Sequence, residues 1–388
     1  MDGTDQPQQT RQEMTPKTSG HALVYIGVIM LVFIVASAYY IFISGKSTPS
    51  NTTIPSSSST VVNAIAATSS TTSATTTAAA SVAGYIYCVG GLTHGLSAYN
   101  TTYYAPLYLG GGIGKWTLTT SPYGKGNLDC NAYNNYVYCV DGNISTYASL
   151  SSNGVGSWSN TTETPNSTNT TDSCAIYNGY IYCLQVDKYI TKKVQPSFAY
   201  YAPVSSSGIG PWKQTTKFPV SFEPPIPYCQ AYDGYFYCLG GSYNSSIGIN
   251  NNTYYAPITS SGIGSWTRTT RIPFSLNQTF VSSCNIYNGY IYCPYNTTIT
   301  YYAPVGSFGI GAFKETTGSG IDINPSNMTQ IFVLQDYDYC LGDNGILYCP
   351  GAYYAEKYAH INSNGSLNAF NFTSPYPETR YFGSCVTS

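Results

Sequence analysis

Short apolar segments, each interrupted by two polar turn residues, recur five times along this chain of 388 residues. The copy at residues 174–183 is Cys-Ala-Ile-Tyr-Asn-Gly-Tyr-Ile-Tyr-Cys. Asn178-Gly179 is typical of a type I′ turn, which needs positive φ at both central residues and joins two antiparallel strands. The other copies have their turns at 134–135, 233–234, 288–289 and 344–345. The pattern therefore predicts five β-hairpins.

The register of each predicted hairpin places its two cysteines opposite one another. Counting outward from the turn, Cys174 faces Cys183 at a non-hydrogen-bonded pair, where Cα atoms are about 4.5 Å apart. Disulfides span Cα separations of about 4.4–6.8 Å. We therefore expect five hairpin disulfides, which join Cys130 to Cys139, Cys174 to Cys183, Cys229 to Cys238, Cys284 to Cys293, and Cys340 to Cys349.

Two of the twelve cysteines remain, one near each end of the repeats. Cys88 occupies the position of a second hairpin cysteine, and Cys385 that of a first. We expect the last segment to return and pair with the first segment, which closes six units into a ring with a Cys88–Cys385 disulfide. Such closure joins the first and last blades of a β-propeller. In the alternative, residues 79–82 form the first strand and both thiols stay free.

Each repeat continues with a tyrosine segment and then with a glycine-rich turn before an aromatic residue. Tyr-Tyr-Ala-Pro occurs at 103–106, 200–203, 254–257 and 301–304. The aromatic positions are Trp116, Trp158, Trp212, Trp266, Phe313 and Phe370. A repeat of about 40–55 residues with several short strands is typical of propeller arrays. The sequence predicts an all-β, six-bladed β-propeller with four strands per blade, a fold in which both segments supply strands.

The order of these segments resembles the kelch family. A strand ends in a double glycine at Gly90-Gly91 and at Gly240-Gly241, and a tyrosine strand and then a tryptophan strand follow. The resemblance covers roughly residues 84–388. It implies a kelch-type propeller, and because kelch propellers usually lack paired cysteines, it implies a divergent, disulfide-rich, extracellular member.

An uncharged, mostly apolar run at 22–44 precedes the repeats and is long enough to cross a bilayer. Arg11 and Lys17 precede the run, so we expect residues 1–21 in the cytoplasm and a single-pass signal-anchor helix at the cell membrane. In the alternative, cleavage near Ala38 releases a secreted protein. Residues 45–82 are rich in Ser, Thr and Ala, which predicts a disordered stalk. The propeller then covers 83–388.

Disulfides persist in oxidising compartments, so the cysteine pattern agrees with export. Asn-x-Ser/Thr sequons are numerous, and they add to the expectation of a cell-surface glycoprotein. The glycosylation candidates are Asn100, Asn143, Asn160, Asn244, Asn296 and Asn371.

The chain has few charges and a near-neutral balance. Only 8% of the residues are charged, against about 25% in typical domains, and the formal net charge is −2. Lys192-Lys193 is the most basic cluster, which argues against nucleic acid as a partner. Since acid denaturation mostly protonates paired carboxylates, a chain with so few carboxylates is expected to tolerate acid.

The residues give little support for catalysis. The chain has three histidines, of which His94 and His360 lie in different repeats, and the expected disulfides use every cysteine. A galactose-oxidase-type copper site and a sialidase-type arginine triad, which would need Arg268, Arg271 and Arg380, remain remote alternatives. We expect no enzymatic activity, no metal and no cofactor.

The predicted loops indicate which face of the propeller binds a ligand. Loops after the second and fourth strands vary in length and emerge on one face, whereas the other turns are short and uniform. Variable loops on a rigid scaffold commonly carry function. The candidate ligand-binding residues on these loops are Lys188, Lys192, Lys193, Phe222, Glu223, Tyr243, Phe274 and Asp322.

The expected function is recognition or adhesion at the cell surface, with a glycan or a surface protein as the partner. A structural, glycosylated component of the cell envelope is the alternative. The sequence does not predict an oligomeric state.

Overall fold

The computed structural model describes most of the repeat region of the chain. The described residues are 80–91, 100–122, 128–142, 144–165, 170–187, 197–220, 227–244, 248–249, 251–273, 284–294, 299–317, 340–350, 356–377 and 384–388. They belong to a compact unit that spans Thr76–Ser388. The predicted membrane span at 22–44 and the stalk through residue 79 lie outside the described residues. Among the described residues, no helix has the length and apolar character that a bilayer crossing requires.

Thirty short β-strands form the described structure, all paired in antiparallel fashion. The first half holds β1 (Val82–Val89), β2 (Thr102–Tyr108), β3 (Thr117–Thr119), β4 (Asp129–Tyr133), β5 (Tyr136–Asp141), β6 (Ile144–Ser151), β7 (Gly154–Val155), β8 (Ser159–Asn160), β9 (Thr170–Tyr177), β10 (Tyr180–Asp187), β11 (Phe198–Ser205), β12 (Gly208–Ile209) and β13 (Lys213–Lys217). The second half holds β14 (Tyr228–Tyr232), β15 (Tyr235–Leu239), β16 (Ser242–Asn244), β17 (Gly248–Ile249), β18 (Thr253–Thr259), β19 (Gly262–Ile263), β20 (Thr267–Thr269), β21 (Asn285–Tyr287), β22 (Tyr290–Pro294), β23 (Ile299–Gly306), β24 (Gly309–Ile310), β25 (Lys314–Thr317), β26 (Leu341–Asp343), β27 (Ile346–Cys349), β28 (Lys357–His360), β29 (Asn371–Phe372) and β30 (Ser384–Thr387).

These strands form six blades arranged in a ring, which confirms the predicted six-bladed propeller. Blade 1 combines β30 with β1–β3, and blades 2 and 3 hold β4–β8 and β9–β13. Blade 4 holds β14, β15 and β18–β20 and carries the extra hairpin β16–β17, while blades 5 and 6 hold β21–β25 and β26–β29. The innermost strands contact one another in the order β30, β4, β9, β14, β21 and β26, and β26 contacts β30 again. The ring is therefore closed.

The predicted hairpins are present in blades 2 to 6 with the predicted register. Tyr177 pairs with Tyr180, and Cys174 pairs with Cys183. At the turn, Asn178 has φ 48° and Gly179 has φ 77°, as a type I′ turn requires, and the other four turns have positive φ at the corresponding residues. All five hairpin disulfides are formed, with Cα separations of 4.1–4.2 Å.

In blade 1, the two innermost strands pair as in the other blades, but no turn connects them. Cys88 pairs with Cys385 and forms the predicted disulfide, across a sequence separation of 297 residues. Tyr85 and Ser388 exchange backbone hydrogen bonds at 3.1 and 3.4 Å, in the positions that flank the turn in the other blades. The alternative with two free thiols is wrong, because β30 and not residues 79–82 supplies the innermost strand.

The fourth strand of each blade differs from the prediction. In blades 2 to 5 it is divided into two pieces that pair with opposite ends of the third strand, as Val155 with Leu150 and Asn160 with Thr146. The tryptophans lie at this break and not within a strand. Two indole N–H groups donate to a carbonyl of the preceding blade, from Trp158 to Thr120 at 3.1 Å and from Trp212 to Thr162 at 3.1 Å. The break thus lets the indole reach across the blade interface.

Stacked tyrosines fill the space between neighbouring blades. Tyr138 on the second strand stacks on Tyr147 of the third strand, with ring centroids 6.3 Å apart. Its hydroxyl donates to the Ser205 carbonyl of the next blade at 2.9 Å. Burial raises the pKa of Tyr138 to about 12, so this hydroxyl stays a neutral donor at any physiological pH. Corresponding bonds join Tyr87 to Ser151, Tyr237 to Gly306 and Tyr348 to Tyr108.

A threonine at the end of the fourth strand joins each blade to the next. The N–H of Ile310 donates to Thr269 Oγ1 at 2.8 Å, and Thr269 Oγ1 donates to the Ile310 carbonyl at 3.1 Å. The other interfaces use Thr119 with Val155, Thr161 with Ile209, Thr215 with Ile263, Thr316 with Leu367 and Thr373 with Ile113. We call these six residues the inter-blade threonines.

We expect Thr269→Val to destabilise the propeller by about 1–3 kcal/mol, because it leaves the backbone N–H of Ile310 without its partner, whereas the Ile310 carbonyl keeps its hydrogen bond from Thr270. Thr267→Val, at an exposed position of the same strand, is the matched control and is expected to change the free energy of unfolding by less than about 0.5 kcal/mol. Chemical denaturation measures both. Equal effects would show that the hydroxyl of Thr269 does not join the blades.

Candidate binding face

The propeller has two faces of different construction. On one face, which we call the turn face, lie the two-residue turns between first and second strands and the short turns after the third strand. On the other, the loop face, the loops after the second and the fourth strands begin and end. Backbone hydrogen bonds join the two loop classes at their bases, from Phe218 to Ser197 at 2.9 Å and from Ile272 to Asn251 at 3.0 Å. Both classes of variable loop therefore emerge on one face, as expected.

The candidate ligand-binding residues belong to the loops of this face. Lys188, Lys192, Lys193, Phe222, Glu223, Phe274 and Asp322 lie outside the described residues. Tyr243 lies in β16, which pairs with β17 to form a small hairpin in the loop after the second strand of blade 4. The assignment of these residues to ligand binding stays a prediction.

Polar residues join the innermost strands at the loop-face end of the ring. In blades 1 to 3, the residue that precedes the first cysteine accepts a hydrogen bond from the cysteine N–H of the next blade. Ser384 Oγ accepts from Cys130 at 3.0 Å, and Ser173 Oγ accepts from Cys229 at 2.8 Å. Farther along β14, Gln230 donates to the hydroxyl of Tyr228 at 2.8 Å. Neutral side chains thus supply part of the hydrogen bonding at this end of the ring.

Blade 2 places a carboxylate, that of Asp129, in this position, and blade 3 has Asp172 directly before Ser173. Asp129 Oδ2 accepts from the Cys174 N–H at 2.7 Å, and Asp129 Oδ1 accepts from the Asn131 amide at 3.3 Å. Burial raises the pKa of Asp129 to about 7, against the effect of the Cys174 hydrogen bond, and the nearby charge of Asp172 raises it further. Asp172 in turn accepts from the Gly142 N–H at 3.0 Å. Both carboxylates hold backbone groups of the scaffold in place.

A second buried carboxylate arrangement lies at the interface of blades 6 and 1. Glu356 is fully buried and accepts a hydrogen bond from the indole N–H of Trp116 at 3.0 Å. Tyr376 packs edge-on against Trp116, with ring centroids 4.7 Å apart. Lys357 lies over the ring of Phe370, 5.3 Å from its centroid. Glu356 thus places a carboxyl group in the closing interface, whereas Lys357 lies over Phe370 beside the core cluster of blades 5 and 6, and sequence reasoning identified neither.

The described residues do not bring together a catalytic or metal-binding set. They contain no group of three or more His, Cys, Asp or Glu side chains placed to hold a metal ion. All twelve cysteines are in disulfides. His360 lies at the turn-face end of β28, and Arg268 lies on the outer strand β20, where it donates to Asn252. Arg380, His94 and His21 lie outside the described residues.

Three glycosylation candidates have exposed side chains. Asn100 precedes β2 at the loop face, while Asn160 and Asn371 lie on the outermost strands of blades 2 and 6. Asn244 lies in β16, and Asn143 and Asn296 lie outside the described residues. A glycosyltransferase could reach these three exposed amides. Glycosylation at these positions stays a prediction.

No protein-family model matches the sequence, and no curated protein does. The Aleuria aurantia lectin, a fungal six-bladed β-propeller that recognises fucose, aligns with a TM-score of 0.41 and 13% identity over 75% of this chain and 95% of its own. A Bacteroides fragilis protein with a provisional assignment as a 6-phosphogluconolactonase has a TM-score of 0.44 and 10% identity over 76% and 83%. Glutaminyl cyclase from Myxococcus xanthus has a TM-score of 0.31 and 10% identity over 58% and 85%. At these values the similarities carry no inference about a ligand or an activity.

Proposed function

We propose that this protein is a non-enzymatic recognition module that binds glycans or surface proteins through its loop face. The observation that carries this proposal is the division of the two faces. The turn face has short and uniform turns, whereas both variable loop classes begin and end on the loop face. Side chains on such loops differ from blade to blade, so the loop face offers a surface that is specific to this chain.

The composition of the chain favours a neutral, polar ligand. Only 8% of the residues are charged and 41 are tyrosines, so the side chains that can form hydrogen bonds are mostly neutral donors and acceptors. Hydroxyl-rich sugars are recognised by such donors and acceptors together with aromatic rings. A glycan is therefore the favoured ligand class.

The compartment follows from the disulfides. Six disulfides fit an extracellular or secreted protein, because oxidising compartments preserve them. We propose that residues 22–44 anchor the chain in the membrane and that residues 45–79 separate the anchor from the propeller. The double glycines at the ends of β1 and β15 have positive φ, which supports a kelch-type relationship as part of the same proposal.

A binding screen with matched lysine variants tests the proposal. The wild-type chain is applied to an array of N-linked, O-linked and cell-wall glycans and to an array of surface proteins. We expect the triple variant Lys188→Ala, Lys192→Ala, Lys193→Ala on the loop face to lose at least about tenfold in affinity for the ligand that the wild type selects, as expected when contacts of hot-spot strength are lost.

The control is the triple variant Lys115→Ala, Lys213→Ala, Lys314→Ala. It removes the same charge from exposed positions on the outer parts of the blades and is expected to bind like the wild type. Truncation of 188–196 and of 221–226, one at a time, extends the test to the neighbouring loops. Unchanged binding in all loop variants, or equal losses in both lysine variants, would contradict the loop face as the binding surface.

A further inference from the structure

Exposed apolar side chains are concentrated on the turn face. Six large apolar side chains of the described residues are strongly exposed, and four of them lie at the turn-face edge. Leu109 and Phe308 are each 61% exposed, and both lie in the short turns after a third strand. Val82 and Tyr180 begin the second strands of their blades and are 48% and 41% exposed. The remaining two, Leu118 and Phe372, lie on outermost strands.

These four side chains are spaced evenly around the ring. Val82 and Leu109 belong to blade 1, Tyr180 to blade 3 and Phe308 to blade 5. Every second blade of the six thus presents an apolar side chain on the same face. Three contact points at alternate blades define a plane, so all of them can touch a flat surface at once.

The turn face is also nearly free of charge. Among the described residues of its eleven turns, Asp233 is the only charged one, Asp343 lies directly before the two-residue turn of blade 6, and the other turn residues are mostly Asn, Gly and Ser. Half-buried tyrosines precede four of the two-residue turns, at positions 133, 177, 232 and 287. Tyrosine has an apolar ring and a polar hydroxyl and is enriched where proteins meet the boundary between lipid and water. Few charges would have to lose water at such a boundary.

The chain enters the propeller at this face. Ser81 precedes β1, and its carbonyl accepts a hydrogen bond from the N–H of Leu109 at 3.0 Å. The chain that carries the apolar run 22–44 is therefore joined to the turn face, beside two of the exposed apolar side chains. A tether raises the local concentration of the surface to which it is anchored, so weak contacts at this face suffice.

We propose that the turn face is a membrane-contact surface, on which Leu109, Val82, Tyr180 and Phe308 enter the interface of a lipid bilayer. In the cell this inference rests on the proposed membrane anchor. The contact turns the loop face away from the bilayer and leaves it open to ligands on other cells or in the medium. It also gives the uniform turns a role that differs from that of the variable loops.

Vesicle binding by the propeller unit tests the contact. Residues 76–388 form a compact unit whose ring is closed by six innermost strands and by the Cys88–Cys385 disulfide. The unit is sedimented with phosphatidylcholine vesicles at rising lipid concentration. We expect measurable binding that salt does not weaken, because apolar side chains and not charges make the contact.

Two double variants separate this face from exposed apolar surface in general. Leu109→Ser with Phe308→Ser should reduce vesicle partitioning at least fivefold. Leu118→Ser with Phe372→Ser removes one Leu and one Phe of similar exposure, 59% and 54%, from the outer strands and should leave partitioning unchanged. Circular dichroism of both variants confirms that they are folded.

Several outcomes would overturn the proposal. These are no vesicle binding by the wild-type unit, equal losses in both variants, and a self-association that only the Leu109→Ser, Phe308→Ser variant abolishes, which would mean that a second copy covers the turn face. Alkaline extraction of the full chain from membranes tests the anchor separately, because extraction reports on residues 22–44 whether or not the propeller binds vesicles. The same variant should retain loop-face ligand binding, so failure of the recognition proposal is distinguishable as well.

Discussion

Removal of the closing disulfide, by Cys88→Ala together with Cys385→Ala, is expected to destabilise the propeller by about 5–6 kcal/mol. The bridge joins residues that are 297 positions apart, so it constrains nearly the whole unfolded chain. In the chain-entropy account, the stabilisation grows with the logarithm of the loop length. Without the bridge, β30 is held in blade 1 by its pairing with β1 over four residue pairs and by the Ser384 contact with Cys130.

The hairpin disulfides provide the matched comparison. Cys174→Ala with Cys183→Ala also removes two buried cysteines, but from a loop with a sequence separation of 9 residues. Its expected cost is about 2.5–3 kcal/mol, roughly half that of the closing disulfide. Guanidinium denaturation of both variants and the wild type gives the two free energies. A loss for the closing disulfide that is no larger than for the hairpin disulfide would show that the ring closes without covalent help.

The sequence was sufficient to predict features that depend on neighbours along the chain. An Asn-Gly turn permits one register, and that register places Cys174 opposite Cys183 by counting alone. The closing disulfide was predictable for a related reason, because Cys88 and Cys385 each occupied half of a hairpin whose other half was missing. Six copies of the repeat then determined the number of blades.

Contacts between blades were less accessible to this reasoning, since a single repeat does not show what its neighbour supplies. The inter-blade threonines nevertheless left a signal: an aromatic residue is followed three positions later by Thr-Thr in five repeats, at 119–120, 161–162, 215–216, 269–270 and 316–317. The break in the fourth strand gave no such signal. It depends on the indole of Trp158 turning toward Thr120 of the preceding blade, a tertiary contact.

Candidate site residues were the least predictable from the sequence. Variable loops indicated the face, because strand order alone determines on which side each loop emerges. Sequence alone did not show that Leu109 and Phe308 are exposed. Each lies close to a buried isoleucine, Ile113 or Ile310, and the local pattern does not indicate which of the two apolar side chains faces solvent. The carboxylate of Asp129 was likewise unremarkable in sequence, and only packing against the next blade raises its pKa.

The raised pKa of Asp129 determines how its contribution to folding stability changes with pH. Its pKa is about 7 in the folded protein and 3.8 as the ordinary value, so between these pH values the folded state binds more protons than the unfolded state. Stability then rises as the pH falls through this window. Burial also raises the pKa of Asp343, which acts in the same direction. Asp129 and Asp343 therefore favour the folded state in acid, whereas paired carboxylates with lowered pKa values would oppose it.

We expect the free energy of unfolding to increase by up to about 4 kcal/mol between pH 8 and pH 4, since each pKa unit corresponds to about 1.4 kcal/mol. Asp129→Asn should remove most of this slope and make the protein more stable than the wild type at pH 8, because the amide is never charged. Asp233→Asn, on an exposed turn, removes the same charge and should keep the wild-type slope. Urea denaturation from pH 4 to pH 8 measures all three. A wild-type midpoint that falls on acidification would mean that carboxylates with lowered pKa values dominate, and that acid tolerance does not arise from the blade 2 and blade 3 interface.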